Sequence, residues 1–390
     1  MSRITFFLGG LIVFLVGCGD VDNTVPDAFI LEKQYGGDSL DFAVQITETT
    51  EGDYLILGRS NSYGLGLTDA YLLKVDKQGK KIWDDYYGGA NFDDAYAMVP
   101  ANDGGNFIIG STLSFGAGGM DMMLIKTDRQ GQQEFFKTFG DLYYDKGFFI
   151  EEAEDGNYLI GGYITNIATQ DKDMALLKVN ESGDELWTQT YGGDTTDIAN
   201  GVLVMNDGYL VYGKKAISEG NEDIFLVKTD FNGDQLWQKN YGGDGVEELT
   251  EVIETDDGNL LGCGYSGSFY DNRNNDLYLL KMNRNGDTLQ SNHFGSIGQW
   301  DYEEAYAITQ ASDGGYYVAG RQRSAIWVIK TNQDLIEELT VTFGDVNYQY
   351  TRAGFDIIEE DDGKVVVVGG ETNSNAGNIL FLRLDPQKVQ

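Results

Sequence analysis

Residues 223–264 read DIFLVKTDFNGDQLWQKNYGGDGVEELTEVIETDDGNLLGCG. An apolar run ends in the cation Lys228, and a polar turn, Asp230-Phe231-Asn232-Gly233, follows it. The next run carries Trp237 and ends in Tyr241-Gly242-Gly243. A third run leads to an acidic-Gly turn at Asp257-Gly258, and a fourth ends at Gly264. Asp and Asn close such turns with a side-chain hydrogen bond, and Gly supplies the positive φ they require. The stretch reads as short strands joined by hairpins.

The same four markers recur in phase along the chain. The aromatic-Gly pair appears as Tyr35-Gly36, Tyr87-Gly88, Phe139-Gly140, Tyr191-Gly192, Tyr241-Gly242, Phe294-Gly295 and Phe343-Gly344, at steps of 49 to 53 residues. The acidic-Gly turn, the later Gly and the closing cation each appear seven times, the cations being Lys74, Lys126, Lys178, Lys228, Lys281, Lys330 and Arg383. Four strand-like runs, A to D, fill each unit. In the first they are Phe42–Thr47, Tyr54–Leu57, Ala70–Val75 and Lys81–Tyr86. Runs B and C are almost continuously apolar, as in strands buried on both faces.

Seven four-stranded antiparallel units repeated radially predict an all-β fold, a seven-bladed β-propeller spanning 28–390. The ends of the chain agree with a closed ring. The seventh unit stops after its C run, Ile379–Leu384, whereas Ala28–Tyr35 reads as a D run with no unit of its own. The N-terminal strand is expected to complete the last blade and remove an open sheet edge.

Composition narrows the function. With 27 Lys and Arg against 63 Asp and Glu, the formal charge is -36. Nucleic acid and anionic lipid headgroups, which need basic surfaces, are poor partners. Two Cys exclude a disulfide scaffold, and one His excludes most His-based metal and triad chemistry.

Residues 1–17 place one cation, Arg3, before an apolar run from Ile4 to Val16. The run is too short to span a bilayer but suits a secretory signal. Its ending, Leu15-Val16-Gly17-Cys18, resembles the lipobox of bacterial lipoproteins. That resemblance implies a signal peptide over 1–17, lipidation (palmitate included) at Cys18 and a tether over 18–27. A membrane-anchored lipoprotein of the cell envelope follows, in the outer membrane or at the cell surface rather than the inner membrane.

The pattern W-x-x-x-Y-G-G, D-G-G-Y-x-x-x-G and D-x-x-L-x-K-x-D-x-x-G is clearest in Trp237–Gly243, Asp313–Gly320 and Asp223–Gly233. It resembles a class of repeat propellers in bacterial and archaeal surface proteins, over residues 28–385. The resemblance implies fold and little about activity. Pyrroloquinoline quinone dehydrogenases and sialidases carry comparable turns, but neither motif matches here. Asp76…Gly79…Trp83 has one residue too few and no Thr for the first, and Asp-x-x-Gly stands where the second needs Asp-x-Gly. These turns are expected to be plain C–D hairpins.

Antiparallel alternation puts the tight A–B and C–D turns on one face and the longer D–A and B–C links on the other, where binding is expected. Acids near the start of run A (Asp41, Asp93, Asp145, Asp197, Glu247, Glu303) form a series suited to hold Ca²⁺ or, as the repetition favours, to cap the D–A turns. The cations closing run C are expected to pair structurally with acids such as Asp69, Asp121 or Asp173. Cys263 reads as a small buried hydrophobe, and His293 carries no catalytic expectation. Departures from the repeat gather in units five to seven: Tyr270 and Arg273, Trp300 and Tyr302, Arg321 and Arg323, Tyr348 and Arg352. Aromatic faces beside guanidinium groups suit sugar rings or a protein hot spot.

The reading is a lipid-anchored, extracytoplasmic binding or scaffold propeller that captures a glycan or an envelope protein on the D–A/B–C rim. It is expected to be a monomer, to need no cofactor, to hold no assigned metal and to touch the membrane only through its anchor. Catalysis is not favoured. The alternative is a polysaccharide hydrolase or lyase using rim carboxylates.

Overall fold

The computed structural model describes residues 28–268, 275–295, 302–344, 351–372 and 376–389. They form seven antiparallel sheets of four strands each. In blade one, strand A is Asp41–Glu48, B is Tyr54–Ser60, C is Asp69–Val75 and D is Lys81–Tyr87. The N-terminal strand Phe29–Tyr35 pairs antiparallel with Gly377–Leu384, the C strand of blade seven, so that Tyr35 lies opposite Ile379. The chain is a seven-bladed β-propeller closed by its first strand. Among the described residues no helix is long and apolar enough to cross a membrane.

Alternation along a strand explains the core. Tyr54 and Ile56 of blade one pack toward Val366, Val368 and Phe381 of blade seven. Leu55 and Leu57, their neighbours in the same strand, pack toward Ile108 and Ile125 of blade two. All seven clusters join the residues of two adjacent blades in this way, and the sixth-to-seventh junction includes Ala28 and Phe29 of the closing strand. Each buried Leu or Ile contributes roughly 1.5–3 kcal/mol. The A strands touch one another around the ring and enclose a central channel.

The repeat markers are devices of this scaffold. Every A strand carries a β-bulge, such as that between Ala43 and Gln45, opposite the marker Gly of strand B. A Cβ at Gly58 would collide with the Phe42 carbonyl there. The D-strand aromatics dock onto the next C–D turn: Trp83 lies against Gly131 and Trp187 against Gly233, where Gly also supplies the positive φ. The Tyr of the aromatic-Gly pair donates to the same turn, from Tyr35 to the Gly79 carbonyl (2.6 Å) and from Tyr191 to that of Gly233 (2.7 Å). The turns themselves are plain hairpins; in the first, Asp76 accepts from the Gln78 and Lys80 amides.

The closing cations are structural, but their partners differ from the expected ones. Lys126 pairs with Asp103 (2.8 Å), Lys178 with Asp155 (2.7 Å) and Lys281 with Asp257 (2.7 Å), all acids of the A–B turn in the same blade. Asp69 and Asp121 begin strand C, at its opposite end from the cation. Acid and cation of one pair are more than 20 residues apart, so the pairing follows strand register rather than sequence proximity.

Candidate functional site

The D–A and B–C links are stitched together between blades. The Asp93 amide donates to the Thr68 carbonyl (2.8 Å), Asp145 to Met120 (2.6 Å), Glu303 to Asn275 (2.9 Å) and Arg352 to Ser324 (3.1 Å). This face therefore sits on a rigid frame, although its links vary. In blade four the B–C link is not a loop. It extends the B and C strands into a long hairpin in which Ser218 pairs with Asn221.

The acid series at the start of strand A caps the D–A turns. Asp41 accepts from the Gly37 amide (2.8 Å) and from the Ser62 hydroxyl (2.6 Å). Asp93 accepts from Gly89 (2.7 Å), Asp145 from Asp141 (2.8 Å), Asp197 from Gly193 (3.1 Å) and Glu247 from Gly243 (2.8 Å). All of these acids are buried. Among the described residues no group of three or more His, Cys, Asp or Glu is arranged to hold a metal ion. In blade seven the series is broken: register places Arg352 in this position, ion-paired with Glu371 of the neighbouring strand.

Of the residues singled out in the sequence, Tyr270, Arg273, Trp300, Tyr348 and Cys18 lie outside the described residues. Tyr302, Arg321 and Arg323 are tied together on blade six, and Arg352 of blade seven joins them through its amide to the Ser324 carbonyl. The Arg321 guanidinium lies over the Tyr302 ring (5.7 Å) and pairs with Glu304 (2.8 Å). The Arg323 amide donates to the Tyr302 carbonyl (2.9 Å), in a two-residue turn between Gln322 and Ala325. Arg352 lies over Phe343 (5.5 Å). Arg321 and Arg352 are thus held by carboxylates that are themselves nearly buried. A ligand anion there would compete with, or extend, an existing ion pair.

Sequence reading missed two sets of residues. Around the channel mouth, Glu248 accepts from Asn200 (2.7 Å) and Tyr265 (2.6 Å) and pairs with Lys214 (2.9 Å), while Glu304 is bonded by Tyr306 and Asn275. Deeper in the channel are Glu151, Glu251 and Asp356. Burial is the leading cause that pushes the Glu251 carboxyl up to about 8, with the Asp356 and Glu151 charges adding to it. Burial likewise pushes Asp356 to about 7, and enclosure by the channel wall does the same for Glu151, whose side chain still reaches solvent. Glu251 accepts from the Ile308 amide of the next blade (2.6 Å), and Asp356 accepts from Ile46 (2.8 Å). Gln45, in the same column, does so from Met98 (2.6 Å). That column otherwise holds Ala97, Phe149, Gly201 and Ala307, so aligning the units on the bulge exposes its two acids. Cys263 is fully buried, and burial raises its thiol. His293 lines an open groove of about 520 Å³ with Trp327 and Thr340, between blades five and six.

No family model matches the chain, and no curated protein matches it. Solved structures do share its fold. Drosophila Plexin A, in complex with Semaphorin 1b, is similar over 92% of this chain and 87% of its own, at 9% identity and a TM-score of 0.52. BBS1N in complex with ARL6DN is similar over 92% of this chain and 97% of its own, at 8% identity and a TM-score of 0.52. The AfRom2 CNH domain covers 91% of this chain and 99% of its own, at 8% identity and a TM-score of 0.51. At such identities the likeness carries the fold alone. The class is therefore that of β-propellers, compatible with a binding or scaffold role.

Proposed function

We propose that the chain is a binding propeller of the cell envelope, tethered through lipid on Cys18, that captures a glycan or an envelope protein on its D–A/B–C face. The observation that carries this reading is the contrast in how the two faces use their side chains. On the A–B/C–D face the closing cations are matched to turn acids within their own blades. On the other face, the arginines have an aromatic ring beside them as well as a carboxylate: Arg321 lies over Tyr302 and Arg352 over Phe343, on links whose length and sequence differ from blade to blade. Aromatic and guanidinium groups on a rigid frame suit rings and their polar substituents.

The test is to incubate purified protein with a panel of glycans and measure both retention and reducing-end release. Retention without release, weakened by Arg321→Ala at unchanged melting temperature, is the expected result. Glu151, Glu251 and Asp356 favour a second reading. Carboxyls that hold protons near neutrality are the groups a hydrolase or lyase needs as general acid. Release abolished by Glu251→Gln would replace the binding reading with that one.

A further inference from the structure

In a chain this acidic, cations find carboxylates easily. Among the described residues, nearly every Lys or Arg that is at least partly buried has an acidic side chain within 4 Å. Lys146 and Lys172 are the exceptions, and they are neighbours. Lys146 opens strand A of blade three, directly after the capping acid Asp145, and its register partner on strand B is Tyr163. Lys172 opens strand C of the same blade, with its ammonium over the Tyr163 ring (4.6 Å). A third cation, Arg59 of blade one, reaches Asp94 only at 3.8 Å and lies over Tyr96 (5.4 Å). Tyr96 meets Phe148 edge to face (5.0 Å), and Phe148 meets Tyr163 (5.9 Å).

The result is an arc across blades one to three at the D–A/B–C end of the channel. Three half-exposed cations border a continuous aromatic bed. Burial, together with the Lys172 and Arg59 charges, opposes the Lys146 ammonium, and Asp94 offsets this only in part. Such a cluster costs the fold stability and is compensated when an anion enters.

We propose that this arc is a subsite for a sugar ring bearing a carboxylate or a sulfate. The sugar ring sits in the corner that Tyr96 and Phe148 form by meeting edge to face, and the anion is held by Lys146 and Lys172, with Arg59 beside it. The proposal rests on the reading of this face as a ligand surface and adds the class of ligand. A neutral sugar would leave the cations uncompensated. A long polyphosphate would meet the net charge of -36 beyond the arc.

The experiment measures binding of four probes to the purified protein: a galacturonate trisaccharide, a sulfated disaccharide, cellotriose and a glutamate-rich peptide. Wild type is compared with Lys146→Met, Lys172→Met and Arg321→Met. One or both anionic sugars are expected to bind in preference to cellotriose. Their affinity is expected to fall about tenfold or more in each lysine variant, the usual scale for losing one charge-assisted hydrogen bond. Lys146→Met is expected to melt no lower than wild type, because it relieves like-charge repulsion. Anionic sugars that bind no better than cellotriose, or equally well to Lys146→Met, overturn the subsite. If a probe still binds and is lost only in Arg321→Met, the face is a ligand surface and the subsite alone fails. Binding of the peptide alone, lost in Lys146→Met, overturns the sugar class. Binding of no probe to wild type overturns the subsite and the glycan reading of the face together.

Discussion

On the A–B/C–D face, Lys126 reaches Asp103 and Glu134, Lys228 reaches Asp207, and the Asp76 and Asp128 turns close on their own amides. On the opposite face, Lys146 and Lys172 reach no carboxylate among the described residues, Arg352 replaces a capping acid, and Arg323 takes a conformation that usually belongs to Gly. The first face satisfies its charges either within a blade or with the next turn around, as Lys137 does with Asp184 and Lys239 with Asp287, and repeats the solution around the ring. The second leaves charge, strain and aromatic surface unsettled at chosen blades. Scaffold and site can therefore be told apart by what repeats.

The comparison breaks most completely if the ring itself is opened. Deleting Ala28–Tyr35 strips blade seven of its outer strand, exposes the edge of Gly377–Leu384, and removes Phe29 from Phe343 (5.2 Å) and Tyr35 from the Gly79 turn. The expected outcome is loss of cooperative unfolding, or a melting temperature lower by more than 10 °C, read by calorimetry. Phe29→Ala alone is expected to cost about 3 kcal/mol. An unchanged melt after deletion would mean that the blades do not depend on closure.

The next test breaks one repeat of the regular face. Six blades close strand C with Lys, and blade seven uses Arg383, whose guanidinium is bonded to the nearly buried Glu360 and to Tyr54. Arg383→Met strands that carboxylate, with an expected loss of about 3 kcal/mol in denaturant unfolding. Arg383→Lys is expected to recover most of it, because the other blades show that an ammonium suffices. If the two variants unfold alike, the pairing contributes shape rather than charge.

Protonation separates the channel from the turns. Glu151, Glu251 and Asp356 are raised above their unfolded values by burial, so the folded chain binds protons that the unfolded chain has released. Their contribution is fully present below the ordinary carboxylate range and is lost as pH rises from about 4.5 to about 8. Asp103 and Asp257 are lowered, chiefly by hydrogen bonds from Lys126 and Lys281, and act in the opposite sense. Their contribution is present above the ordinary carboxylate range and fades as pH falls below it. Thermal melts are expected to peak on the mildly acidic side of neutrality and to decline toward pH 8.5. Glu251→Gln is expected to flatten that decline, since Gln45 already accepts the equivalent amide without a charge. A decline of the same slope in the variant would remove Glu251 from the account.

The ring, its seven blades and its closure were legible because they rest on local signals: a hairpin turn, an apolar run, an orphan strand at one end and a unit one strand short at the other. The capping acids were legible for the same reason, lying four residues from the amides they bind. The partners of the Lys series were not, since Lys126 and Asp103 meet only once strands A to C are in register. Nor was the arc around Lys146, whose parts come from blades one, two and three. Tyr302, Arg321, Arg323 and Arg352 were found as departures from the repeat. Their engagement with Glu304 and Glu371 depends on strand pairing that no spacing rule displays.

Backbone strain gives the smallest test. Twenty described glycines hold positive φ, and three other residues do: Gln170 (63°), Arg323 (54°) and Leu335 (56°). Leu335 fills its C–D turn with a fully buried side chain, which offsets the strain by packing. Gln170 and Arg323 are exposed, and both lie in B–C links of the variable face. Arg323 holds the first central position of a two-residue hairpin, where Gly is the residue that fits when only that position has positive φ. Arg323→Gly and Gln170→Gly are therefore each expected to raise stability by a few tenths to about 1 kcal/mol. If Arg323 serves a ligand, its Gly variant gains stability and loses retention, whereas Gln170→Gly gains stability alone. Strain kept at an exposed arginine then marks a side chain held for contact rather than for folding. Equal retention in both variants would return Arg323 to the scaffold.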